Sequence, residues 1–456
     1  HFMVVGAPGS GKTLTLRLLM QEVLPLVGTG RDHRALVYDA KRDVLSLLHG
    51  MSLPCRIVTL NPFDRRSVAW DMAADITAPA TARQVATILI PEERHSAQPY
   101  FVDAARHLLT GVMVAFVRTC PGQWTFRDVV LALRSKEHLS QVLRRTPETF
   151  DLVRYFEPDQ TFASVLSTIA TKMAGFEFIA ATWAHASQKI SLRDWLNDEY
   201  VLVLGNDEAA RSALDSVNRV LFRRLVELIL NQSESDSRRN WVFLDELREA
   251  GNLDGLNRLL TKGRSKGACV VLGFQDIEGL KAAYGDREAG EITGLCAQKA
   301  ILRLESPETA QWASRLLGSA EQVEYRVGLS ASVGYQGWNA TNSTNEQLHK
   351  RDALLASQFM EIPLTSSATG LTGVYVTPYT GAYVSTLSGA LLHRRLMPRE
   401  DSVLDVDPRP EEHQYLMGWK RTDLERLALP LEPTPADSGS EPPPVGGVLS
   451  GIGRQR

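Results

Sequence analysis

Up to about residue 70, and again from residue 200 onward, short runs of consecutive apolar residues are separated by polar, glycine-punctuated stretches. The runs at 2–5, 35–38, 56–60, 200–204, 241–244, 269–274 and 300–304 have strand length and are apolar nearly throughout. That pattern predicts strands covered on both faces, as in a parallel sheet flanked by helices. Helical patterns lie between them, from Thr13 up to Pro25 and over 213–230 and 253–260. The runs 373–377 and 382–386 are split by Pro378-Tyr379-Thr380-Gly381 and predict a closing hairpin.

The stretch 71–200 has a different texture. It holds three of the chain's 33 glycines, Gly111, Gly122 and Gly175, and no strand is predicted before Val201. Phe101, Leu108, Leu109, Val112, Met113 and Phe116 recur at helical spacing. A long glycine-poor, strand-free block inside an α/β pattern reads as an inserted all-α domain. The alternative, ordinary crossover helices, requires crossovers far longer than usual. The expected division is a nucleotide-binding α/β domain in two parts, 1–70 and 189–400, the insertion at 71–188, and a C-terminal extension over 401–456. From about 430 the extension is rich in Pro and Gly, with Ser and Asp between them, and is expected to be disordered.

Composition narrows the class. A formal net charge of −3 argues against coating nucleic acid with the whole surface, although a local basic groove or pore remains compatible. Cys55, Cys120, Cys269 and Cys296 are widely spaced and form no C-x-x-C pair, which fits a reducing compartment better than a disulfide framework or zinc site. The acceptor patterns at Asn339 and Asn342 are read as chance. No uninterrupted apolar run of about 18 residues suggests a membrane span, and no signal peptide is recognisable. The chain starts at His1, one residue before a core strand, and is expected to be a fragment lacking an upstream part.

The chemistry begins immediately after that first run. Gly6-Ala7-Pro8-Gly9-Ser10-Gly11-Lys12-Thr13 fills every position of the phosphate-binding loop G-x-x-x-x-G-K-[ST], between a predicted strand and a predicted helix. Glycines let backbone N–H groups crowd around phosphates, and the helix N-terminus adds positive potential. Lys12 is placed to reach the β- and γ-phosphates of a nucleoside triphosphate and the Thr13 hydroxyl to ligate Mg²⁺. The strand ending in Asp245-Glu246 supplies an acid to orient Mg²⁺ and a second to polarise the attacking water. Asp39 closes another strand and either holds metal or positions Lys12, or caps the next helix. Gln275 ends a strand and is a candidate γ-phosphate sensor. Arg264, in the basic loop Thr261-Lys262-Gly263-Arg264, is a candidate arginine finger acting across a subunit boundary.

Taken in order, the phosphate loop, the Asp39 segment, Leu60-Asn61-Pro62-Phe63-Asp64, the strand through Glu246, Leu260-Thr261-Lys262-Gly263-Arg264 and Gly273-Phe274-Gln275 resemble the type IV secretion coupling proteins. The resemblance covers roughly residues 1–390. It implies a RecA-like P-loop NTPase domain with a mainly parallel sheet and an inserted all-α domain. It further implies a ring, of six subunits, at the cytoplasmic face of the bacterial inner membrane, with ATP and Mg²⁺ as cofactors. Its expected partners are DNA, single-stranded and with little sequence preference, the relaxosome and the secretion-channel components. Membrane contact would come through a segment absent from this fragment. Arg42 departs from the family pattern, in which a glycine usually stands there. Two rival readings stay open: another ring translocase of the HerA or FtsK type, and a nucleotide-switched docking hub that recruits secretion substrates without being a motor.

Overall fold

The computed structural model describes residues 1–92, 99–208, 211–334, 337–404 and 406–430. The predicted disordered stretch beyond 430 lies outside the described residues. The first strands are β1 (Phe2–Val5), β2 (His33–Tyr38), β3 (Ile57–Leu60), β4 (Ala69–Trp70) and β5 (Lys189–Ile190). Next come β6 (Val201–Leu204), β7 (Arg239–Leu244), β8 (Ala268–Phe274) and β9 (Gln298–Ile301). The last are β10 (Ser319–Gly334), β11 (Gly337–Asp352), β12 (Leu371–Thr377) and β13 (Gly381–Leu387).

Nine of these form one sheet in the order β13-β12-β9-β1-β8-β7-β2-β6-β3. The seven strands from β9 to β3 run parallel, and the β12–β13 hairpin is antiparallel at one edge. The apolar runs are buried on both faces as their composition requires. Val201, Leu202 and Val203 of β6 are fully buried, as are Val270, Val271 and Leu272 of β8. Register places Val5 opposite Phe274 and Ile301, and Leu244 opposite Leu272 and Tyr38. The loops following β1, β2, β7 and β8 therefore emerge together at the carboxyl ends of the parallel strands, where ligands bind in open α/β sheets.

The block after residue 71 is helical, with Pro99–Thr119 and Asp159–Ala184 as its longest members. One expectation needs correction. A strand does occur before Val201: β4 and β5 pair in parallel, Ala69 with Lys189 and Trp70 with Ile190. Two residues are too few to leave a periodic signal, yet they zip together the points where the chain leaves and re-enters the sheet-bearing part. Below them, buried Asp75 accepts from Trp70 Nε1 at 2.6 Å and from the Leu192 N–H at 2.8 Å.

Two long helices bear on the reading that no apolar run is long enough to span a membrane. Pro99–Thr119 and Asp159–Ala184 are long and apolar enough by length and composition to cross a bilayer. Scattered charges break their apolar runs, which is why no uninterrupted stretch was visible. The first is a core helix here, burying Leu108, Leu109, Val112, Met113 and Phe116. The long β10–β11 ribbon pairs with itself and had no counterpart among the expected elements, because its sequence is rich in Ser, Asn and Thr.

After β13 the chain crosses back over the sheet and then onto the helical block. Gln21 Nε2 donates to the Arg395 carbonyl at 2.9 Å, the Glu400 N–H donates to Ser46 O at 2.9 Å, and Arg399 pairs with Asp43 at 3.1 Å. The Asn-Pro-Phe-Asp segment forms the next joint. Asp64 is fully buried and binds Arg66, the Arg409 N–H donates to Phe63 O at 3.3 Å, and the Phe63 ring stacks on Phe178 with centroids 4.4 Å apart. Farther on, Trp419 and Arg426 close over the fully buried Asp128.

Candidate nucleotide site

β1 delivers the chain into a loop wrapped around its own backbone. The Gly6 N–H donates to Phe274 O at 3.2 Å and the Ala7 N–H to Arg303 O at 2.9 Å, fixing the loop's start to β8 and to the residues after β9. Gly9 and Gly11 adopt φ of 77° and 95°, a region L side chains avoid. A Cβ at Gly11 would also strike the side chains of Leu371 and Thr365. Thr365 braces the loop from behind, its N–H donating to Gly9 O at 3.1 Å and its hydroxyl to Ser10 O at 2.7 Å. The helix Lys12–Val23 then starts at Gly11.

Lys12 is buried, and its ammonium donates to Glu246 Oε2 at 2.5 Å and to the Asp245 carbonyl at 3.2 Å. Gln275 Nε2 donates to the same Glu246 oxygen at 3.0 Å. This approach depends on Gly273, where any Cβ would run into the Asp245 backbone. Thr13 Oγ1 lies 3.4 Å from Asp245 Oδ2. Gly6, Ala7, Pro8, Gly9, Gly11, Lys12, Thr13, Lys41, Gln275 and Thr365 line a cavity of 480 Å³. Asp245 Oδ1 and Ser10 Oγ are buried with no hydrogen-bond partner.

An orphaned Asp245 Oδ1, on a carboxylate whose Oδ2 lies beside the Thr13 hydroxyl, is the donor chemistry a hard divalent cation takes. Among the described residues no group of three or more His, Cys, Asp or Glu is arranged to hold a metal. A cation at Thr13 and Asp245 would therefore rely on nucleotide oxygens and water, as Mg²⁺ usually does.

Asp39 lies close by but does not touch Lys12. Its Oδ1 accepts the Asp43 N–H at 3.2 Å, ahead of the helix Val44–Gly50. Burial, with the neighbouring charge of Asp43 adding to it, pushes the Asp39 carboxyl up to about 6. The folded state thus holds this proton more tightly than the unfolded chain. The resulting stability is present below about pH 4 and is lost as pH rises through about 6. Asp39→Asn keeps the acceptor and removes the charge. It is expected to stabilise the protein at pH 7 by roughly 2–3 kcal/mol and to flatten the pH 4–6 dependence in denaturant titrations.

Arg42 explains its departure from the glycine pattern. Its φ is 59°, a conformation that favours glycine, and its guanidinium is held by Asp207 at 2.7 Å. Arg264 stands apart from the cavity. It is exposed in the turn Arg264–Lys266, before β8, whereas Gln275 follows that strand. Seven strand residues at ~3.3 Å each separate the two ends by roughly 20 Å, so Arg264 does not reach the phosphate loop of the same chain. Two site residues were missed from sequence, Lys41 and Thr365. Lys41 sits two positions after Asp39 and could have been flagged; Thr365 joins through tertiary contact alone.

A strand-end acid pair, a glycine-cradled lysine and a mainly parallel sheet with inserted helices define a phosphate-loop α/β protein of the RecA-like type. The family model of the type IV secretion-system coupling protein DNA-binding domain matches residues 1–378, and the chain belongs to that family. It is 22% identical over 383 residues to the coupling protein TraD of Escherichia coli K12, covering 82% of this chain and 51% of TraD. It is also 23% identical over 228 residues to the conjugal transfer protein TraG of Rhizobium radiobacter, covering 50% of this chain and 33% of TraG. The chain thus spans about half of TraD and about a third of TraG.

Among solved structures, the unbound monoclinic form of the bacterial conjugative coupling protein TrwBdeltaN70 superposes with a TM-score of 0.64 at 20% identity, covering 90% of this chain and 88% of that one. TrwB in complex with ADP and Mg²⁺ gives 0.62 at 20% identity, covering 85% and 84%. TrwB with the non-hydrolysable ATP analogue ADPNP gives 0.63 at 18% identity, covering 90% and 88%. At these identities the likeness establishes a shared fold.

Proposed function

We propose that this chain is a DNA-dependent ATPase that couples ATP hydrolysis to DNA transfer through a type IV secretion system. The observation that carries the reading is the meeting of Lys12, Thr13, Asp245, Glu246 and Gln275 in one linked set of hydrogen bonds at the carboxyl ends of the parallel strands. In this reading Gly6 to Thr13 cradle the phosphates, and Lys12 transfers its charge from Glu246 to the γ-phosphate. Glu246, released, takes a proton from the attacking water. Thr13 and Asp245 would hold Mg²⁺, which when bound supplies positive charge at the phosphate oxygens. Gln275, bonded to Glu246, reports whether the γ-phosphate is present. Asp39 shapes the adjoining wall of the site.

Residues 1–70 and 189–400 act as the motor domain, with 71–188 as its helical insertion and the remainder as a C-terminal extension. Arg264, which cannot serve its own site, completes a neighbour's site in a ring of six. The ring works at the cytoplasmic face of the inner membrane with DNA, relaxosome and channel components. The solved TrwB complexes with ADP–Mg²⁺ and ADPNP support the nucleotide assignment, and the DNA-binding-domain family model supports DNA as partner.

The test is ATPase activity with and without single-stranded DNA over a range of protein concentration. Specific activity is expected to rise with concentration as sites are completed by neighbours, and DNA is expected to raise it further. Mixtures of Arg264→Ala and Lys12→Ala subunits are expected to recover activity that neither has alone. Concentration-independent, DNA-insensitive turnover would overturn the ring reading.

A further inference from the structure

Beside the phosphate loop stands a second lysine that the catalytic scheme does not use. Lys41 Nζ lies 3.2 Å from Thr13 Oγ1 and 3.2 Å from Asp245 Oδ2, bridging the two side chains best suited to hold a divalent cation. Its side chain is 44% exposed, so it can withdraw into solvent without unfolding anything. The backbone on either side of it is anchored. Asp39 accepts the Asp43 N–H, Arg42 is ion-paired to Asp207, and Asp43 pairs with Arg399 at 3.1 Å. The ammonium is therefore held at these oxygens by a fixed loop.

We propose that Lys41 is a built-in competitor for the metal position, its ammonium and Mg²⁺ being mutually exclusive ligands of Thr13 Oγ1 and Asp245 Oδ2. This rests on the nucleotide-site reading above. A cation coordinated at about 2.0–2.1 Å by these oxygens would leave no room for an ammonium bonded to both, and two positive charges at that separation repel. Lys41 must swing out as the metal enters, so it sets the Mg²⁺ concentration at which the site loads. It is a positioning residue: it acts through Thr13 and Asp245.

The experiment measures binding, not turnover. Fluorescent mant-ADP is titrated onto the full chain and its Lys41→Met and Lys41→Arg variants, in EDTA and at increasing Mg²⁺. Lys41→Met is expected to lower the Mg²⁺ needed for half-maximal tight binding about fivefold, the size expected from losing a half-exposed ion pair. Binding in EDTA should not weaken, and Lys41→Arg should keep the wild-type Mg²⁺ dependence. If Lys41→Met weakens binding in EDTA or raises the Mg²⁺ requirement, the lysine is a phosphate ligand and the proposal is overturned. An unchanged Mg²⁺ dependence overturns it equally. A wild-type chain that binds no mant-ADP under any condition overturns the nucleotide-site reading itself and this inference with it.

Discussion

Glu246→Gln is expected to bind ATP at least as tightly as wild type while hydrolysing it at least about 100-fold more slowly. The wild-type carboxylate is buried and pairs with Lys12 at 2.5 Å, while Gln275 donates to the same oxygen at 3.0 Å. An amide preserves the shape but cannot accept a proton from water, so the chemical step slows. It also releases Lys12 from a charged partner, leaving the ammonium available to phosphate. The signature is a larger ATP-induced rise in melting temperature with little phosphate release. Wild-type turnover in a folded Glu246→Gln protein would transfer the water-activating role to another residue. Asp245→Asn should behave differently, weakening Mg²⁺ dependence and binding together, because the Asp245 carboxylate faces Thr13 and Lys41 and only its backbone carbonyl meets Lys12.

The largest stability effect is expected far from the cavity. Asp128 is fully buried at the start of the helix Phe126–Ala132, where its Oδ2 accepts the Thr125 N–H at 2.8 Å. Arg426 donates to both of its oxygens, at 2.9 and 3.1 Å, and Trp419 Nε1 adds a contact at 3.0 Å. Arg426→Ala would leave a buried carboxylate without its cation, which costs about 3 kcal/mol or more. Hydrogen exchange should show residues 419–430 losing protection, and the helical block should melt earlier. Pairing Arg426→Met with Asp128→Asn should restore much of the loss, since no net charge then remains buried. If Arg426→Ala melts like wild type, the C-terminal segment does not hold the helical block in solution.

How much of this was legible in the sequence depended on the range of the interactions. The β1-loop-helix unit could be read because its signal is local: an apolar strand, glycines at two left-handed positions and a helix beginning at Lys12. The parallel sheet was visible in apolar runs such as 201–204 for the same reason. The β4–β5 clasp was not, because each half is two residues long and its partner lies more than 100 residues away. Thr365 was equally hidden, since nothing near it in sequence indicates that it braces Gly9 and Ser10. Lys41 was visible as a residue but not as a contact of Asp245, which only the register of β2 beside β7 creates. The C-terminal extension before 430 carried no predicted element because its order comes from scattered anchors, Arg409 and Arg426, and not from a core of its own.

The most direct test of the central claim is phosphate release from ATP and Mg²⁺ by the purified chain beside its Lys12→Ala variant. Both proteins are assayed at matched concentration with single-stranded DNA present, and the fold of each is checked by its melting curve. Turnover by the wild type and its loss in the variant are expected, because Lys12 is the charge that must pass from Glu246 to the γ-phosphate. Equal turnover by a folded Lys12→Ala protein would contradict the claim.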